Sequence, residues 1–288
     1  MIKIKFFSDY AEPAELLKRF KANYEVYDQQ IAYTLNDDYN YAVVFNSTRE
    51  RIKPWAKIIT VIQEPSWSPA HHTLTFLTDS DYLIIHDPAL FEARYQITLG
   101  GKVIESPSFM FYHDKVNSET FRAVEIIPKQ KKLSFIVSGK NYKFLNYSKR
   151  IDLLVKILKS DLDIDIYGKQ FTAADPRFKG ELDYKYRGLI PYEYSIAIEN
   201  SDEKNYITEK FFDCVICNTT PIYHGAPNIR EVYDERFFRL LDLDSPHIIE
   251  DIKEIIAQPA PGAGVNKDIY FKDFNLYTKL KEIIYGDF

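Results

Sequence analysis

The densest set of residues able to hold a charged ligand lies between Tyr194 and Pro227. An apolar run, Tyr194-Ser195-Ile196-Ala197-Ile198, ends in Glu199-Asn200. A polar loop follows, Ser201-Asp202-Glu203-Lys204-Asn205, and a helix is predicted over Tyr206 to Asn218. In open α/β sheets ligands bind at the carboxyl ends of strands, and the free N–H groups that open the next helix favour an anion. Tyr206 and Lys210 are four apart, which puts them on one face of the first helical turns. Lys210 offers a cation to a pyrophosphate, while Glu199, Asn200 and Glu209 can hydrogen-bond to ribose and sugar hydroxyls. The same residues also read as a solvated helix start in which Glu and Lys pair with each other. No Walker loop and no G-x-G-x-x-G fingerprint occurs, which argues against ATPase and dehydrogenase chemistry.

Two other patterns invite a metal. Asp161-Leu162-Asp163 and Asp242-Leu243-Asp244 mimic a D-x-D motif, but both alternate with apolar residues as strands do. Cys214 and Cys217 are the only cysteines, and their C-x-x-C spacing lies inside an apolar stretch. Zinc needs two further ligands, which no second Cys pair or close His pair supplies. The pair is expected as two buried helical thiols, suited to a reducing compartment.

The elements that must position these residues alternate between short apolar strands and helices. Lys3–Phe7, Tyr24–Tyr27, Tyr41–Asn46, Lys57–Gln63 and Tyr82–His86 read as strands, with a helix over Pro13–Phe20. The near-continuous apolar runs are those of parallel strands buried on both faces. Polar Pro128-Lys129-Gln130-Lys131-Lys132 interrupts the pattern, and a second α/β succession begins. Its strands are expected at Leu133–Ser138, Asp163–Gly168, Tyr194–Asn200, Thr220–Gly225 and Leu240–Leu243, and its helices at Tyr147–Leu158, Tyr206–Asn218 and Ser245–Ala257. A loop over Gln258–Val265 precedes a terminal helix over Lys272–Ile284. The division this predicts is 1–127, 128–270 and a helical tail 271–288, that is, two Rossmann-like α/β domains and a C-terminal helix.

Composition narrows the partners. The chain has 288 residues, 45% of them apolar, and a net charge of −5. That acidity argues against a nucleic-acid partner, which needs a basic surface. The 22 Tyr and 20 Phe against 10 Gly would suit stacking on sugars, although a general compositional bias accounts for the same count. No apolar run approaches the ~18 residues of a membrane span, and the alternating N-terminus lacks the apolar core of a signal peptide. The sequons at Asn46, Asn146 and Asn218 are then chance matches, and the expected location is the cytosol, free or peripheral at a membrane. The sequence carries no sign of oligomeric state.

Three blocks together carry a family resemblance. Tyr192-x-Tyr194-Ser195-Ile196-Ala197-Ile198-Glu199-Asn200-Ser201, then Tyr206-Ile207-Thr208-Glu209-Lys210-Phe211, then Thr220-Pro221-Ile222-Tyr223-His224-Gly225-Ala226-Pro227 resemble the donor-binding signature of the α-1,3/4-fucosyltransferases, glycosyltransferase family 10. Upstream, Arg150 followed by Asp163-Ile164-Asp165-Ile166-Tyr167-Gly168 is similar to a further block of that family. The resemblance covers roughly residues 133–243. Ile198 and Tyr194 stand where the family has Phe, a departure in packing that leaves the sugar less firmly assigned.

The resemblance implies a GT-B fold of two facing Rossmann-like domains, with GDP-fucose as donor substrate in the C-terminal one and no required cofactor or metal. Lys210 and Arg150 would neutralise the diphosphate, Glu209 would lie against the ribose or sugar, and Glu199, Asn200, Tyr206 and Thr208 would complete the donor site. An inverting transferase also needs a general base at the acceptor hydroxyl. Glu64, in Ile62-Gln63-Glu64-Pro65-Ser66, follows a strand directly and is the nearest counterpart of the family's base, so Glu64 and Glu209 form the catalytic pair. A surface Glu before a turn-forming Pro is the plainer reading of Glu64, and His113 is a rival base. His71 and His72 would line the glycan-acceptor side or sit exposed in a loop. The implied function is transfer of fucose to a glycan hydroxyl. The alternatives are a transferase using another nucleotide sugar and a noncatalytic glycan-binding protein on the same scaffold.

Overall fold

Residues 1–24, 28–71, 73–108, 127–140, 146–262, 267 and 269–286 are described by a computed structural model. The chain opens with β1 (Ile2–Ser8) and α1 (Pro13–Asn23). Pro13 begins α1, where its missing N–H costs no helical hydrogen bond. β2 (Ile31–Tyr33), β3 (Tyr41–Phe45), β4 (Lys57–Val61), α2 (Thr75–Thr78), β5 (Tyr82–Ile85), α3 (Pro88–Tyr95) and β6 (Lys102–Glu105) follow. These strands form one sheet, ordered β2-β1-β3-β4-β5-β6, and every neighbouring pair is parallel. Pairing Phe6 with Val43 and Val43 with Ile59 puts these side chains in one core with Leu16 and Phe20 of α1. Because side chains alternate across a strand, Phe7, Ala42 and Val44 enter a separate cluster.

The second sheet is built from β7 (Lys131–Ser138), β8 (Asp165–Lys169), β9 (Tyr192–Ile198), β10 (Thr220–His224) and β11 (Arg239–Leu240), in the order β11-β10-β9-β7-β8 and again parallel. Its helices are α4 (Asn146–Leu158), α5 (Glu209–Ile216), α6 (Ile229–Val232) and α7 (Ile248–Ala257). Leu153, Leu154 and Ile157 of α4 join Phe135, Ile196 and Ile222 in its core. A π-helical turn, Ile269–Asp273, leads into α8 (Leu276–Tyr285).

Among the described residues, 1–108, 203–206 and 269–286 make one compact unit, and 127–202 with 207–262 and 267 make another. The terminal helix α8 packs into the first core through Leu276, Tyr277, Leu280 and Ile283. Asn275 caps it, accepting from the N–H groups of Tyr277 and Thr278.

Several expected boundaries move. The helix predicted from Tyr206 begins at Glu209, because Thr208 is extended (φ −115°, ψ −168°) and caps it. Tyr206 therefore does not share a helical face with Lys210. The strand expected over Leu240–Leu243 shortens to β11, the helix expected from Ser245 starts at Ile248, and the terminal helix starts at Leu276. β2, α2, α3, β6 and α6 are additional to the expected elements, and residues 25–27 of the strand expected at Tyr24–Tyr27 lie outside the described residues. Part of the tyrosine excess is spent on the interior: Tyr39, Tyr186, Tyr192, Tyr194, Tyr206 and Tyr223 are all fully buried.

Candidate functional site

The junction between β9 and α5 is built around one buried carboxylate. Glu199 is fully buried. It accepts the Thr208 N–H at 2.7 Å and the Thr208 hydroxyl at 2.6 Å, and Lys210 Nζ lies 3.6 Å away. Burial raises its pKa, against the opposing pull of Lys210. Thr208 Oγ1 in turn accepts from the N–H of Lys210, which fixes the first turn of α5. Gly225 is required here, since a Cβ would stand 2.5 Å from Glu199 Cγ and 2.6 Å from the Tyr223 hydroxyl. Glu199 thus braces the helix start and is not among the residues lining the neighbouring cavity.

That cavity, of about 420 Å³, lies within the second unit and has the size of a small-ligand site. Phe135, Val137, Ile196 and Ile198 give it apolar walls, while Arg150, Glu209 and Lys210 bring charge. Lys210 Nζ is 3.1 Å from Glu209 Oε1 and 3.2 Å from Thr208 Oγ1. The helix-start pair is therefore formed, but partly buried instead of solvated. Burial pushes the Glu209 pKa up, yet Lys210 and Lys185 outweigh it and bring it down to about 2. Burial works to lower the Lys210 pKa, and Glu209 and Glu199 reverse the sign and raise it. The cavity mouth therefore keeps a full cation and a full anion side by side at neutral pH.

Arg150 is only 8% exposed. Its guanidinium donates to Asn200 Oδ1 at 2.7 Å and lies over the Tyr147 ring, 4.4 Å from the centroid. Asn200 therefore reaches the site as the partner that orients Arg150. A second chain of contacts stands at the same strand ends: His224 Nε2 is 3.2 Å from Asp202 Oδ1, which also accepts from Asn146 Nδ2 at the start of α4.

Sequence reading missed Lys185, Asp213 and Glu181, which line the same cavity. Lys185 forms an ion pair with Asp213, one turn beyond Lys210 on α5. Burial raises the Asp213 pKa, and Lys185 opposes it. Their 28-residue separation leaves no local pattern, although the spacing of Lys210 and Asp213 at i and i+3 was a signal that both lie on one helix face.

The remaining candidates sit in the first unit. Glu64 follows β4 and is half-buried, and its N–H donates to Asn46 Oδ1 at 3.1 Å. Asn46 adopts a left-handed backbone (φ 59°) and also accepts the Gln63 N–H at 2.7 Å. His71 is buried, packing edge-on against Phe91 with ring centroids 5.3 Å apart, so it is not an exposed loop histidine. Tyr206 is buried within the first unit, its ring 5.2 Å from His86. The loop read as polar contributes a buried Glu203, which accepts from the Ser66 N–H, the Ser66 hydroxyl and His86 Nε2 at 2.9, 3.0 and 2.8 Å. His72 and His113 lie outside the described residues.

The D-x-D look-alikes are engaged in other contacts. Asp161 pairs with Lys253, Asp242 accepts the Asp244 N–H, and Asp244 pairs with Lys149. Among the described residues no group of three His, Cys, Asp or Glu side chains gathers as a metal site would need. Cys214 and Cys217 are buried free thiols, and burial pushes Cys214 up to about 12.

Residues 126–255 match the family model described as glycosyltransferase family 10 (fucosyltransferase), C-terminal. The chain is 33% identical over 164 residues to the alpha-(1,3)-fucosyltransferase fut-5 of Caenorhabditis elegans, covering 56% of this chain and 36% of that protein. It spans from 19% to 36% of the length of the first relatives it matches. A crystal structure of an alpha1,3-fucosyltransferase superposes with a TM-score of 0.59 at 17% identity, covering 100% of this chain and 91% of that one. An alpha1,3-fucosyltransferase crystallised with GDP-fucose gives 0.55 at 17%, covering 95% and 81%. Two parallel α/β sheets and these likenesses make the fold GT-B. With its Glu-Asn, Thr-Glu-Lys and Pro-Ile-x-x-Gly blocks inside the matched segment, residues 126–255 are similar to the C-terminal domain of glycosyltransferase family 10.

Proposed function

We propose that this chain is an inverting glycosyltransferase that moves fucose from GDP-fucose to a glycan hydroxyl, working in the cytosol or at a membrane surface. One observation carries the reading: Arg150 and Lys210 line a single cavity beside the capped start of α5, with the ionised Glu209 paired to Lys210. Two cations suit a diphosphate. As the bond from the sugar's anomeric carbon to phosphate breaks, negative charge grows on the departing GDP, and fixed cations stabilise that charge without rearranging. Glu209, held ionised, is a pure acceptor for ribose or sugar hydroxyls. Glu64 takes the acceptor hydroxyl's proton as its oxygen attacks the anomeric carbon, and GDP leaves from the other side, inverting the configuration.

The proposal is supported by the family's name and by the GDP-fucose bound to the similar enzyme. Its test is the donor. A ligand present at 100 times its Kd adds ~2.7 kcal/mol of stability, so GDP should raise the melting temperature more than UDP at equal concentration. A preference for UDP would overturn the fucose assignment.

A further inference from the structure

Beyond the diphosphate-facing residues, the cavity carries a second polar pair that the proposed mechanism leaves unused. Glu181 and Lys185 line it together with Leu182, all from the segment that leads into the 3-10 turn Lys185–Gly188. They come from a different element than Arg150, Glu209 and Lys210, which α4 and α5 supply. Lys185 is fixed by its ion pair with Asp213, itself only 3% exposed. Glu181 is exposed, and among the described residues its carboxylate has no hydrogen bond or ion pair. Phe135, Val137, Leu189 and Ile196 add an apolar lining to the same cavity.

An apolar slot with one positioned cation and one free carboxylate fits a planar heterocycle whose edge offers an acceptor beside donors. Guanine has that edge: O6 accepts, while N1–H and the 2-amino group donate. We propose that Lys185 and Glu181 read the base of the bound nucleotide, the ammonium donating to O6 and the carboxylate accepting from N1–H and the 2-amino group. This rests on the nucleotide-donor reading above and assigns its base selectivity. Uracil would set its O2 against the carboxylate, acceptor to acceptor. Adenine would turn its amino group toward the ammonium, donor to donor. A site built to hydrogen-bond a given group rejects analogues that lack it, because its polar atoms are then left unpaired.

Calorimetry with GDP, inosine diphosphate and UDP tests the assignment, since inosine differs from guanosine only by lacking the 2-amino group. A hydrogen bond to a charged group corresponds to about a 10- to 150-fold preference, so the wild type should bind GDP over inosine diphosphate by a factor in that range. Glu181→Ala should weaken GDP binding and bring the ratio close to one. Lys185→Met should weaken both purine nucleotides alike, because they share O6, and leave their ratio unchanged. That variant strips Asp213 of its partner and can fail to fold. Glu181 is exposed, so its variant stands as an independent arm. Retention of the full GDP preference in folded Glu181→Ala overturns the inference and leaves the proposed function intact. A wild type that binds UDP as well as GDP overturns both.

Discussion

Glu199 and Thr208 hold one another with both polar groups of each: one carboxylate oxygen takes the Thr208 N–H at 2.7 Å and the other its hydroxyl at 2.6 Å. With its proton given to Glu199, the hydroxyl is left to accept from the N–H and ammonium of Lys210. Strand end, helix cap and cation are thereby one hydrogen-bonded unit. Glu199→Gln turns one acceptor into a donor facing a donor, which should cost about 1–3 kcal/mol in urea unfolding. Thr208→Ala should cost about 0.5–2 kcal/mol. Because both changes break the same contacts, the double variant should lose clearly less than the sum. Additive losses would show that the two residues act separately.

Lys210 tests the binding half of the site. Its ammonium already lies 3.1 Å from Glu209, so a diphosphate must compete with that pair. Lys210→Ala should still weaken GDP binding by about 10- to 150-fold, the range for a hydrogen bond to a charged group. Calorimetry on the folded variant decides it, and unchanged affinity would remove Lys210 from the nucleotide site.

His224 gives the site a pH dependence. Burial works to lower its pKa, but Asp202 and the Leu241 carbonyl outweigh burial and the nearby Lys149 and raise it above the ordinary 6.5. A raised histidine pKa favours folding while the ring is charged. Its contribution is fully present below pH 6.5 and fades as pH climbs through the folded-state value. Asp202→Asn should lower the His224 pKa, read by NMR titration of the ring, and flatten the fall of stability between pH 6.5 and higher pH. A ring that titrates at the same pH in both proteins would refute the pairing.

The parts legible in sequence were those with local cause. Near-continuous apolar runs such as Tyr41–Phe45 and Tyr192–Ile198 had to be buried parallel strands, and Glu199-Asn200 had to stand at a strand's end. Short edge strands such as β2 and β6, of three and four residues, carry too few apolar positions to declare themselves. The start of α5 was misplaced because Tyr206 and Ile207 look like helical apolar residues, yet Tyr206 belongs to the first unit, where it is buried against His86. Long-range pairs left no trace at all. Glu203 meets His86 across 117 positions, and nothing near Lys185 announces Asp213. For the same reason α8 was legible as a helix, but its place in the first core was not.

The proposed base is the most exacting test. Glu64 is half-buried just past β4, its N–H tied to Asn46, so its backbone is fixed while its carboxylate is the group assigned to the acceptor proton. Glu64→Gln keeps size and shape but cannot take a proton. Nucleotide binding should survive nearly intact, because Arg150, Glu209 and Lys210 all belong to the second unit. Fucosyl transfer should fall by ~10²–10⁴-fold, the usual contribution of a general base. The wild-type rate should rise with pH as the base ionises, and that rise should vanish in the variant. His113→Ala, the control for the rival base, should retain most of the rate. If Glu64→Gln keeps its transfer rate while His113→Ala loses it, the proton goes to His113 and the assignment to Glu64 is wrong.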